Sequence, residues 1–286
     1  MKNLSDISVI VPSIVKDLSN KWINQINSYT NNGITVFLSI PKNKNIDEVY
    51  KLGFSNKVKI IKADSIGQVN QRQFAYKFCK TEFIINMDDD IEFSIEKVSI
   101  LFMQFLNLPE NSCIAPLMNL KSNPYTKFKF INFIKNFFIF SELNPKPGSI
   151  SKSSFPVPCT SKNFLNNEFQ KKVDWLPGGI LLLRRKHIIK EKYFHFAGKA
   201  YCEDLIQSYL LKNKNMKLYV SNLCSFHTSV LSYRDLNISN FLSYLHKDFL
   251  IRNYFRNLIK NKKTPFIKAY LFLLISYLLT RMKRLI

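Results

Sequence analysis

The chain has 286 residues, with 42 Lys or Arg against 20 Asp or Glu, a formal charge of +22, and 46% of its residues are hydrophobic. That apolar content excludes a disordered chain, and only 7 Gly and 11 Pro exclude collagen-like and low-complexity classes. Five scattered Cys without a CxxC pair argue against a disulfide framework or a zinc site, and for reduced thiols in a cytosolic compartment.

The opening MKNLSDISVIVPSIVKD carries Asp6 and Pro12 and lacks a signal-like apolar stretch, so it reads as a first strand. Short apolar, β-branched runs at Ile7–Pro12, Ile34–Ile40, Lys57–Lys62, Glu82–Met87 and Ser112–Met118 predict strands. Between them Leu18–Asn31, Ile46–Gly53, Gly67–Cys79 and Ser94–Leu106 have helical spacing. Alternation at this pitch predicts βαβ units and a mainly parallel sheet covered on both faces. Ligands of such sheets bind at the carboxyl ends of the strands. From Lys121 to Lys172 the alternation stops: an aromatic run at 128–140 reads as a helix and a Pro/Ser-rich stretch follows it. Trp175–Arg185 is strand-like, Cys202–Lys212 helical, Met216–Ser221 a strand and Leu236–Asn261 a long helix with Phe241, Leu245 and Phe249 four apart.

The positive charge suggests an anionic partner, although Lys is spread over residues 1–230, where 31 basic residues face 18 acidic ones. Residues 246–286 differ, with ten Lys/Arg and one Asp. Within them Ala269–Thr280 is uncharged and flanked by Lys268 and by Arg281, Lys283 and Arg284. As a helix of that length it would be about 18 Å long, too short to span a bilayer, and it fits a shallow interfacial helix on an anionic surface. Packing on the core is the other reading.

Three sets of residues carry chemistry. Asp88-Asp89-Asp90 directly follows an apolar strand; extended alternation places Asp88 and Asp90 on one face, a pair suited to Mg²⁺ or Mn²⁺ with phosphate oxygens. The same triplet also reads as a solvated turn before a helix. Trp175-Leu176-Pro177-Gly178-Gly179 offers close backbone approach to a ligand. Glu203-Asp204 opens a helix, whose dipole keeps a carboxylate ionised and ready to act as a general base, or simply complements the dipole. His227 alone is ambiguous.

In this order the elements resemble the family 2 inverting glycosyltransferases of GT-A fold, of the bacterial surface-polysaccharide type. The first strand with Pro12 and Ser13 resembles that family's entrance to the nucleotide pocket. Gly67 and Arg72 resemble its glycine-to-arginine segment, and Asp88-Asp89-Asp90 its DXD-type motif. Pro177-Gly178-Gly179 through Arg184-Arg185 is similar to its acceptor-side strand, and Glu203-Asp204 to its Glu-Asp pair. Arg252-Asn253 resembles an aromatic–Arg-Asn segment of its C-terminal helix. The resemblance implies Asp204 and Glu203 as catalytic residues, with Asp204 the base. It implies donor contacts at Pro12, Ser13, Asp64, Gly67, Arg72, Asp88 and Asp89, and acceptor contacts at Trp175, Gly178 and Gly179. It further implies Mn²⁺ or Mg²⁺ on Asp88, Asp90 and His227.

The implied partners are a nucleotide-sugar donor, a saccharide or polyprenol-linked acceptor and an anionic membrane surface at the cytosolic face of the inner membrane; nucleic acid is not expected, and a homo-oligomer is compatible. The expected organisation is a nucleotide-sugar-binding half at 1–120, an acceptor-side half at 121–230 with an irregular insert at 121–172, and a helical membrane-associating extension at 231–286. Two features depart from the family pattern. Ser39-Ile40-Pro41-Lys42 stands where an acidic Asp-Asp-Gly-Ser is usual, with Asp64 as a substitute, and Gln73 replaces the usual Asn. A degenerate binding subunit and a basic nucleic-acid-binding protein are the rival readings.

Overall fold

The computed structural model describes residues 2–16, 18–120, 129–165, 168–196, 200–228 and 236–282. The described chain divides into two compact units, one of residues 1–119 and 160–228, the other of 120–159 and 229–286.

The first unit is a mixed α/β sheet flanked by helices, with strand order β3-β2-β1-β4-β7-β5-β8-β6. Strands β1 (Ile7–Pro12), β2 (Thr35–Pro41), β3 (Lys59–Ala63) and β4 (Phe83–Met87) run parallel to one another. β1 and β4 are buried along their whole length, which is why their sequences read as continuous apolar runs. β7 (Ile180–Arg184) is antiparallel to β4, with Ile180 opposite Met87 and Arg184 opposite Phe83. β5 (Ser112–Leu120) is antiparallel to β7, and β6 (Gln170–Val173) to β8 (Lys217–Thr228).

Helices α1 (Asn20–Asn31), α2 (Ile46–Tyr50), α3 (Gln68–Ala75), α4 (Ile95–Leu106) and α6 (Glu203–Asn213) complete this unit. Each of the four longer ones buries one side, for example Trp22, Ile23, Ile26 and Tyr29 on α1. The sequence places these elements within a few residues, with three differences. Trp175–Gly179 is not strand, because Pro177-Gly178-Gly179 breaks the ladder before β7 begins. β6, with its sequence QKKV, is an edge strand too polar to stand out. β8 continues beyond Ser221 to Thr228, with Cys224 and Phe226 buried and Leu223 and His227 exposed in strand alternation.

The second unit holds α5 (Lys129–Ile139), α7 (Ile238–Leu258) and α8 (Lys263–Met282). The insert expected within the sheet domain therefore contributes residues 120–159 to this unit instead. Phe241 stacks on Tyr277 at 3.7 Å between ring centres, and Phe272 stacks on Phe138. Arg252 of the Arg-Asn segment is buried, pairs with Asp248 of the same helix at 2.9 Å and lies over the Phe155 ring, so here it ties α7 to the Ser154–Phe155 segment. Tyr270 donates to the same Asp248.

α8 has 20 residues, about 30 Å, and is long and apolar enough by length and composition to cross a membrane. This corrects the estimate taken from the uncharged run alone, since the helix starts at Lys263. The two faces of the helix differ, and the packing reading holds for one of them. Phe266, Ala269, Tyr270 and Tyr277 are buried in the unit, while Leu271, Ile275, Leu278, Leu279 and Met282 form an exposed apolar stripe.

Candidate active site

The parallel strands deliver their carboxyl ends to one edge of the sheet, and five segments from the sequence meet there. After β1 the chain runs into buried Ser13, whose amide donates to the Ser39 carbonyl at the end of β2. The Ser13 hydroxyl donates to Asp89 Oδ2 at 2.6 Å. After β4, the Asp88 amide donates to the Gly179 carbonyl at 3.0 Å, which ties the acidic triplet to the Gly pair opening β7. Gly67, at φ +124°, caps α3 in a conformation that favours glycine, and α3 then points Gln68, Gln71 and Arg72 at these strand ends.

Arg72 is the centre of the site. Its side chain is 2% exposed, yet it carries a full charge. Nη2 donates to Asp88 Oδ1 at 2.6 Å and Nη1 to Glu203 Oε1 at 2.9 Å. Burial opposes the guanidinium charge, but Glu203 and Asp88 outweigh it, so the pKa of Arg72 is raised. Gln68 also donates to Asp88, and the Tyr193 hydroxyl to Glu203 Oε2 at 3.2 Å. Burial pushes the Asp88 carboxyl up to about 7 despite Arg72, with Glu203 and Asp90 adding to the rise. Asp89 is raised as well, by burial first, with the Ser13 hydrogen bond working against it.

Glu203 and Asp204 differ sharply although adjacent. Glu203 is 4% exposed and held by Arg72 and Tyr193. Asp204 is partly open to solvent. Both stand in the first turn of α6, where the macrodipole favours a carboxylate. Cys202, just before them, takes a left-handed φ of +52°, a conformation that costs an ordinary residue about 1–2 kcal/mol and turns the chain into the helix.

The Gly pair is a requirement of close approach. A Cβ at Gly178 would stand 3.0 Å from Glu203 Oε1 and 3.3 Å from the Asp204 Cβ, and one at Gly179 would strike the buried Phe226 ring at 2.8 Å. Glycine here lets β7 lie directly against the start of α6. The geometry thus gathers Ser13, Gly67, Arg72, Asp88, Asp89, Gly178, Gly179, Glu203 and Asp204 around one strand edge, through the contacts above. Pro12 ends β1 beside them.

Other expected residues stand apart. Trp175 is 6% exposed, packed in the core instead of lining an open surface. Arg184 and Arg185 lie at the far end of β7, opposite Phe83 and not Met87. Asp64 is exposed just after β3. Asp90 is exposed beside the triplet, and His227 is exposed on β8. Among the described residues no three His, Cys, Asp or Glu side chains are grouped so as to enclose a metal. The donor set does fit a hard divalent ion carried by one or two carboxylates plus substrate phosphates: Asp90 is open, and the triplet with Glu203 and Asp204 leaves excess negative charge after Arg72.

Three participants were not evident from sequence. Gln71 is buried and donates to both the Ser13 and Ser39 carbonyls, at 3.0 and 2.6 Å, locking the ends of β1 and β2. Gln68 and Tyr193 steady Asp88 and Glu203. The two glutamines precede Arg72 in GQVNQR, a visible signal; Tyr193 had none.

No family model matches the chain, and no curated protein matches it in sequence. Among solved structures it is similar to GalNAc-T7 crystallised with UDP, GalNAc and Mn²⁺, at 14% identity and a TM-score of 0.52 over 78% of this chain and 44% of that one. The chain thus spans less than half the length of that protein. S. aureus TarS 1-349 is similar at 14% identity and a TM-score of 0.43, over 85% of this chain and 65% of that one, and a mycobacterial protein at 10% and 0.46, over 82% and 69%. The likeness to GalNAc-T7 is one of fold, and the fold is GT-A-like.

Proposed function

We propose that the chain is an inverting glycosyltransferase that moves a sugar from a nucleotide-sugar donor to a saccharide or lipid-linked saccharide in surface-polysaccharide synthesis. One observation carries the reading: Arg72 joins Asp88, after the central parallel strand, to Glu203, next to the solvent-open Asp204, at the carboxyl edge where such sheets bind ligands. The fold, shared with a protein crystallised with UDP and Mn²⁺, agrees with it.

In this reading Pro12, Ser13, Gly67 and Arg72 with Asp88 and Asp89 form the donor side, and Gly178 and Gly179 the acceptor side. Asp204 takes the proton from an acceptor hydroxyl as its oxygen attacks the anomeric carbon. The bond from that carbon to the diphosphate breaks on the opposite side, which inverts the configuration. Glu203 stays locked by Arg72 and fixes the start of α6. Asp90, with Asp88, would hold Mn²⁺ or Mg²⁺ together with the diphosphate, without His227, and the ion would neutralise the leaving group as a Lewis acid.

A thermal-shift panel of sugar nucleotides, with Mn²⁺ and with excess chelator, tests this. One donor in the panel should raise the melting temperature in Mn²⁺ and do so far less in chelator, because a ligand that binds only the folded state stabilises it by mass action. No shift with any sugar nucleotide would remove the reading.

The second unit is proposed to dock the enzyme on the cytosolic face of a membrane through the exposed stripe of α8. The stripe and the ten-to-one basic excess of residues 246–286 support this. Truncating the helix is a poor test, since Tyr270 and Tyr277 belong to the core. Leu271, Ile275, Leu278 and Leu279 changed together to Ser should leave the melting temperature unchanged and abolish sedimentation with phosphatidylglycerol vesicles. Unchanged sedimentation would contradict it.

A further inference from the structure

The opposite end of β4 carries a second feature, which the transfer site does not use. Cys79, just before β4, and the residues just after β7 line a cavity of about 650 Å³. β4 has five residues, so Cys79 and the Asp88 edge lie about 16 Å of strand apart, while Tyr76 of the cavity wall reaches up to Asn86. The volume lies in the range of pockets that take small organic ligands.

Its walls have two characters. Tyr76, Cys79 and Ile188 give an apolar floor, and Lys77, Arg185, Lys186 and Lys190 surround it with cations. Among the described residues no carboxylate lines the cavity. The nearby acids are already engaged: Glu82 with Lys2, Glu110 with Lys186 and Glu191 with Lys214. Among the described residues Lys77, Arg185 and Lys190 have no ion-pair partner; Lys77 instead lies over the Phe74 ring. Burial holds the Cys79 thiol up at about 11, so it adds no negative charge at neutral pH. Tyr76 is fixed by its hydroxyl, which donates to Asn86 Oδ1 at 3.1 Å.

Converging cations without internal counter-charges want a multiply charged anion, and the fork of an arginine suits phosphate oxygens. An apolar floor beneath them wants an organic body attached to that anion. From this pairing we infer that the cavity between the end of α3 and the segment after β7 is a second ligand site, taking an organic phosphate. Its phosphate sits on Arg185, Lys190 and Lys77, and its apolar part on Tyr76, Cys79 and Ile188. The inference does not rest on the transferase reading. The phosphate can come from a soluble metabolite or a lipid headgroup, and the test separates them.

The test is calorimetric titration of the full chain with three probes: inorganic phosphate, phenyl phosphate, and dihexanoyl phosphatidic acid below its micelle concentration. Both organic phosphates should saturate at one per chain and bind more tightly than inorganic phosphate; the tighter of the two identifies the source. The double substitution Arg185→Ala and Lys190→Ala should weaken them about tenfold or more, since charged hydrogen bonds to the phosphate are lost. Lys51→Ala with Lys57→Ala removes the same charge from exposed positions elsewhere and should change binding less than about twofold. Equal losses in the two double variants would reduce the effect to bulk charge and overturn the site, as would the absence of saturable binding by either organic phosphate. Equal affinity for phenyl and inorganic phosphate would overturn the role of the apolar floor.

Discussion

Replacing Asp204 by Asn is expected to slow sugar transfer by about 10²–10⁴-fold while donor affinity stays within a few fold. The substitution keeps the shape and removes the proton acceptor. Asp204 is the member of the acidic pair open to solvent, beside Gly178, and it needs no further burial to reach an acceptor hydroxyl. Glu203→Gln is the instructive partner variant. Glu203 is buried and bound by Arg72 and Tyr193, so its loss should appear in stability as well as in turnover. Steady-state rates for the two variants, with donor affinity measured separately, decide between them. Near-normal turnover by Asp204→Asn would remove Asp204 from its role.

Replacing Arg72 by Ala should be the most destabilising single change in the sheet unit, costing about 3–5 kcal/mol. The reason is what remains: Asp88 and Glu203 would be left facing one another without the guanidinium that both accept from. Arg72→Lys keeps a charge but not the two-pronged donor, so it should recover part of the stability and little activity. Both tryptophans, Trp22 and Trp175, belong to the sheet unit, so denaturant unfolding followed by tryptophan fluorescence reports that unit. A midpoint for Arg72→Ala equal to that of the unaltered chain would show the network to be decorative.

Much of the sheet is legible in the sequence because its strands are buried on both faces. ISVIVP and FIINM carry almost nothing but apolar residues, and no helix of that length would explain them. β6 escapes because an edge strand of sequence QKKV has little to bury. The length of α8 escapes because charged residues at a helix start hide its first turn from a hydropathy reading. At the site, the residue types are legible and their partnerships are not. Arg72 and Glu203 are 131 positions apart, and no local pattern announces that an arginine on the inner face of α3 will be buried against two acids. Likewise His227 falls on the outward side of β8 only because Cys224 and Phe226 take the inward positions. The division into units escapes for the same reason: nothing local in the aromatic helix α5 or the Pro/Ser-rich stretch after it announces that they group with distant helices.

The central claim is that a sugar nucleotide binds at the carboxyl edge of the parallel strands, around Arg72. Hydrogen exchange read by mass spectrometry, with and without Mn²⁺ and the sugar nucleotide that gives the largest thermal shift, tests it most directly. Protection is predicted in peptides covering residues 12–16, 64–72, 88–91 and 178–179 and the start of α6 at Glu203, with little change at residues 185–190. Protection confined to 185–190 or to the helices of the second unit, with none at the strand edge, would contradict the account.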